Sequence, residues 1–113
     1  MTVTNKLLVP ASDLPNAEAA LYPSPATGKG TLIDKATAVN HSAAARQVTF
    51  YHVPSGGAAG TSNLVIYQKS IAAGQTDYLG ELSGKYVPPG ASIHGFADTA
   101  GAVAFELNGR ELT

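Results

Sequence analysis

The chain has 113 residues, 44% of them hydrophobic and only 13% charged, with 7 Lys plus Arg set against 8 Asp plus Glu for a net charge of −1. That length is one domain's worth, and the even charge balance gives no basic face for nucleic acid. With no cysteine there is neither a disulfide framework nor a thiolate zinc site, and no apolar run approaches the ~18 residues of a membrane span.

Charges at about half the usual ~25% do little to keep copies apart, which points to self-association or burial in an assembly. The Met1-Thr2-Val3-Thr4 start carries neither a basic n-region nor an apolar h-region, so no signal peptide is expected. Pro10, Pro15, Pro23 and Pro25 set the first two dozen residues apart, with an apolar Leu7-Leu8-Val9 run among them. Residues 1–18 are read as an N-terminal arm or extension, and residues 19–113 as a single β-sandwich domain. Two readings of the first stretch stay open: an edge strand packed on its own sandwich, or an arm that lies on a neighbouring subunit and orders on assembly. The Ala- and Glu-containing stretch Asp13–Ala20 has room for one helical turn, too short to be stable alone.

From there on the signals are those of strands. Thr31–Val39 is expected to be a strand with Ile33, Thr37 and Val39 on one face. In Gln47–Val53, Val48 and Phe50 alternate with Thr49 and Tyr51, and Asn63–Ile71 is a third strand. Ser92–Asp98 and Ala102–Leu107 follow, the last with Val103, Phe105 and Leu107 facing one way. Period-two alternation marks a strand with one buried face. Ala19–Tyr22, Asp77–Leu79 and Lys85–Val87 are shorter candidates. Turn signals stand between them: Pro54-Ser55-Gly56-Gly57, Ala72-Ala73-Gly74-Gln75, Pro88-Pro89-Gly90 and Asp98-Thr99-Ala100-Gly101. About seven or eight short strands separated this way describe an all-β, antiparallel β-sandwich, jelly-roll or immunoglobulin-like.

Few residues suggest chemistry. Gly28-Lys29-Gly30-Thr31 fails the phosphate-loop pattern, because Pro23 and Gly30 occupy positions that need Gly and Ser or Thr. His41, His52 and His94 are isolated in sequence, no G-x-S-x-G elbow accompanies the serines, and nothing selects a pair among the scattered acids. No enzymatic activity, cofactor or metal is expected. Asn40-His41-Ser42 fits a glycosylation sequon expected to be idle. Among five tyrosines, Tyr51 falls opposite Phe50 and is expected on the outer surface of its strand, where it is available to a subunit contact or a sugar.

The residues carry a resemblance. Ile33–Asn40, Ala43-Ala44, Val48–Gly57, Asn63-Leu64, Ser70–Thr76, Glu81-Leu82, Pro89–Ile93, Ala102-Val103 and Asn108–Glu111 together resemble small tailed-bacteriophage virion proteins. The similarity covers about three-quarters of the chain, from Leu21 onward, and Val53-Pro54-Ser55-Gly56-Gly57 is its most specific part. It implies a small β-sandwich serving as a virion structural component, and it leaves head or tail open. The leading expectation is a capsid decoration or cement protein, a homo-oligomer taken as a trimer, bound to the major capsid protein or other virion proteins where capsomers meet. Its location would be the virion, assembled in the host cytoplasm, with neither nucleic acid nor membrane as partner. The alternatives are a tail, neck or baseplate accessory protein and a glycan-binding host-recognition module. Leu7, Leu8, Val9, Tyr51, Ser55, Gly56 and Gly57 are the expected subunit-interface residues.

Overall fold

Nine strands form two antiparallel sheets in the computed structural model, which describes the whole chain, Met1–Thr113. They are β1 (Val3–Asp13), β2 (Ala19–Pro23), β3 (Gly30–Asn40), β4 (Arg46–Val53), β5 (Leu64–Ile71), β6 (Thr76–Asp77), β7 (Tyr86–Val87), β8 (Ser92–Ala97) and β9 (Val103–Leu112). One sheet runs β1-β9-β3, with β6 and β7 both pairing with β3. The other runs β2-β8-β4-β5. The fold is therefore an all-β structure of two antiparallel sheets, consistent with a sandwich.

The alternation expected along β9 holds, and β8 alternates in the same way. Ile93 and Ala97, and Val103, Phe105 and Leu107, are buried, while His94, Phe96, Ala104 and Glu106 lie on the outer faces. Phe50 from one sheet meets Phe105 from the other with ring centroids 4.9 Å apart, at the middle of the core. Gly95 makes room for this: a Cβ there would overlap the Phe50 ring.

The face expected for β3 is correct only for its first half. The register against β9 shifts between Ile33 and Lys35, so Asp34 is an extra residue and the pleat changes phase. Ile33 points inward, and beyond the bulge Ala36, Ala38 and Asn40 do so, leaving Thr37 and Val39 on the outer face. The bulge also places Asp34 against Arg110, whose Nε and Nη2 donate to the carboxylate at 3.2 and 2.9 Å.

The helical turn expected in Asp13–Ala20 is absent. Asp13 ends β1, Ala19 and Ala20 begin β2, and the chain between them bends at Asn16 and Ala17, with Leu14 drawn into the core. Val3–Asp13 is not an arm standing apart from the rest; it pairs along β9 from Val3↔Leu112 to Asp13↔Ala104. The segment between β6 and β7 closes one side of the core. Leu79 and Leu82, both fully buried, plug the space beside β3, and the Ile33 carbonyl accepts from the Gly84 N–H at 2.7 Å.

Candidate interaction site

The expected interface residues do not form one patch. Leu7 is 46% exposed on the outer face of the five-stranded sheet, next to the free edge. Leu8 and Val9, at 8% and 7%, are core residues, because the register of β1 shifts beyond Leu7 and turns them inward. Tyr51 lies on the outer face of the four-stranded sheet, at the other side of the molecule. Ser55, Gly56 and Gly57 form an exposed turn after β4, closed by the Gly57 N–H donating to the Pro54 carbonyl at 2.9 Å. Positive φ at Gly56 (75°) is what this turn requires.

Around Tyr51 the four-stranded sheet presents a more organised surface than sequence spacing suggested. Tyr51 stacks near-parallel on Phe96 with centroids 6.4 Å apart, sits opposite His94 on β8, and has Leu64 opposite it on β5. His94 is fixed from both sides. Its Nδ1 lies 2.7 Å from Glu18 Oε2 and its Nε2 2.9 Å from Ser92 Oγ. Ser92 and His94 are two apart on one strand, so the period of two puts them on the same face. Glu18 arrives just before β2, which pairs with β8, and only the fold brings it there.

Hydroxyl, imidazole and carboxylate thus stand in the order nucleophile, base, orienting acid. Acyl transfer also needs N–H donors aimed at the developing oxyanion. Here the N–H groups of Gly90 and Ala91, just before Ser92, are committed to the carbonyls of Pro25 and Pro88. The strand itself is paired on both sides, with Pro23 and with Val53. The arrangement offers a fixed polar row beside an aromatic platform rather than an enclosed reaction site. A shallow hollow on the other sheet is lined by Ala11, Thr37, Val39, Ala104, Phe105 and Glu106. No three of the His, Asp and Glu side chains converge as metal ligands would, and no helix is long and apolar enough to cross a membrane.

The remaining polar groups hold the fold. Tyr22 Oη lies 2.8 Å from Thr31 Oγ1, which is 3.0 Å from Ser24 Oγ, and Tyr22 donates to Glu111. Burial, and then the hydrogen bond to Glu111, push the Tyr22 phenol up to about 12. Its donated bond, with help from Lys6, holds the Glu111 carboxyl below the ordinary range. Asn40 is fully buried, and both Nδ2 protons are used, on Ala44 O and Ile71 O at 2.8 Å each. Its sequon nitrogen is therefore a structural group in the folded chain. His52 faces the core side at the end of β4, where burial and then the charge of Lys85 lower its pKa.

Comparison with protein-family models, curated proteins and solved structures finds no match to this chain.

Proposed function

We propose that the chain is a virion structural protein of a tailed bacteriophage, a capsid decoration or cement protein that binds between capsomers as a homo-oligomer. The observation that carries this reading is the strand order. The sheet β1-β9-β3 with β6 and β7, and the sheet β2-β8-β4-β5, support assigning the sandwich to the jelly-roll type. In that order the first strand lies beside the last and the second beside the eighth, a double Greek key used for capsid shells among other roles. The resemblance of the segments lying between Ile33 and Glu111 to phage virion proteins supports the same assignment.

The mechanism needs no chemistry. A protein that binds the assembled shell and not its separated subunits stabilises the shell by mass action, by about 2.7 kcal/mol per site at ~100 times Kd. Repeated over a lattice, that opposes internal pressure. The test is co-sedimentation with separated phage heads and tails, with bound copies counted. Saturation at hundreds of copies per head, with a rise in the melting temperature of the heads, is expected. Binding to tails alone, at about a ring's worth of copies, would move the protein to the tail, neck or baseplate.

A second reading has its own observation. The Tyr51–Phe96 platform beside Ser92, His94 and Glu18 combines an apolar ring face with fixed hydrogen-bonding groups, which is what a sugar ring takes up. Glycan-array binding lost in Tyr51→Ala would favour a host-recognition module.

A further inference from the structure

Three of the molecule's sheet edges are blunted, and one is not. An unpaired edge is a template for another strand unless something interrupts it. The β2 edge is five residues long, shifts register between Ala20 and Tyr22, and ends at Pro23. The β5 edge is broken where Tyr67 and Gln68 together oppose Thr49, with Gln68 at φ 49°, and carries Lys69. The third edge is divided between β6 and β7, two residues each. By contrast, β1 runs regularly from Val3 to Leu7 before its first register shift.

The direction of its backbone groups follows from one pair. Thr2 and Thr113 exchange both N–H···O bonds at 2.9 Å. Alternation then turns Thr4 and Lys6 toward β9, and the N–H and C=O groups of Val3, Asn5 and Leu7 toward the free edge. The side chains of Val3 and Leu7 are 50% and 46% exposed, two of the few large apolar side chains outside the core. Past Leu7 the register shifts, and Pro10 has no N–H to offer.

We propose that β1 pairs with β1 of a second copy of this chain, antiparallel about a two-fold axis through Asn5. That centre alone pairs all three outward residues: Asn5 with Asn5 of the second copy, and Val3 with its Leu7. Each Val3 then packs against a Leu7, an apolar cross-strand pair. Lys6, the only charge in the segment, comes opposite Thr4, so the two Lys6 side chains stand diagonal to one another and not face to face, each with its ammonium 3.2 Å from its own Glu111. The interface is isologous and closed, and it joins two five-stranded sheets into one. It is smaller than the about 800 Å² per partner of a standard stable interface, so association depends on concentration. The inference concerns the isolated protein and does not rest on the virion reading.

Because the chain has no cysteine, Asn5→Cys is a specific probe in the full-length protein. Residues paired across such a ladder have Cα atoms about 5.5 Å apart, within disulfide reach. In this register Val3 stands four positions from its own symmetry mate, roughly 13 Å along the strand and out of reach. Under mild oxidation at high protein concentration, Asn5→Cys is expected to form a disulfide dimer at least tenfold faster than Val3→Cys or Tyr67→Cys. Equal rates among the three would overturn the proposal. In sedimentation equilibrium, Asn5→Pro should lower the weight-average mass to that of the monomer, because the proline replaces an N–H that points away from β9. A parent protein that stays monomeric at every concentration, or an Asn5→Pro variant that associates equally well, would also overturn it.

Discussion

The hydroxyl of Tyr22 on β2 donates to the carboxylate of Glu111 on β9 at 2.5 Å, one of the hydrogen bonds that tie one sheet to the other. Both residues belong to a longer chain of contacts that includes Ser24, Thr31 and Lys6. Buried polar groups that are all paired fix one arrangement of two sheets that apolar packing alone would allow to slide.

Tyr22→Phe removes the donor and keeps the ring. Glu111 retains Lys6, and Thr31 retains Ser24, so the loss is partial. A destabilisation of about 1–3 kcal/mol is expected, read as a fall in Tm of about 4–8 °C per kcal/mol in a domain of somewhat smaller size. An unchanged Tm would mean that the bond to Glu111 contributes nothing net.

Asn40→Asp preserves shape but replaces an amide donor by an acceptor. The carbonyls of Ala44 and Ile71, each now 2.8 Å from Nδ2, would face a carboxylate oxygen. The variant is expected to lose at least about 3 kcal/mol, as a buried network does when one member is reversed. Urea unfolding compared with Asn40→Ala checks this, and the aspartate should be the less stable of the two.

Gly95→Ala tests the close approach of Phe50 to β8. An added Cβ overlaps a ring that already packs on Phe105, and overpacking of this kind costs about 1–3 kcal/mol. Combining it with Phe50→Leu should cost less than the sum of the two single changes, since the smaller side chain leaves space for the methyl group. Strict additivity in the double-mutant cycle would refute the steric explanation.

Acid sensitivity should begin with His52. Its folded-state pKa is lowered, so between its ordinary value of about 6.5 and that lower value the unfolded chain binds the extra proton. Stability is therefore unaffected above about pH 6.5 and falls as the pH drops through that window. Glu81 and Glu111 have lowered pKa values. Their contribution is present at neutral pH and is lost only below the ordinary carboxylate value of about 4.3. Denaturant unfolding of His52→Gln should show a flatter profile between pH 7 and 5 than the parent, and identical slopes would contradict this assignment.

Removing Met1–Pro15 should abolish cooperative unfolding rather than detach an arm. The deletion takes out Leu8, Val9 and Leu14 from the core and strips β9 of its outer partner. A folded truncated protein with a sharp thermal transition would show that β1 is dispensable to the domain.

Sequence alone determined the class of structure, since a strand with one buried face must alternate and Val103, Phe105 and Leu107 do so without interruption. It also located the turns, because Gly and Pro restrict or free the backbone locally, whatever the neighbours. Contacts far apart in the chain were another matter. The extra residue at Asp34 reverses the face of β3 through pairing with β9, and no local signal marks it. Leu79 read as the end of a short strand and Leu82 fell in no expected element, yet the fold turns both into the gap beside β3. His94 was legible only as an isolated histidine until pairing of β2 with β8 brought Glu18 to it across 76 positions. The same holds for the first strand: its apolar and extended character is written in Leu7, Leu8 and Val9, but which of them faces water depended on the register against β9. Residue type and alternation are local properties, whereas register and proximity arise only when distant segments meet.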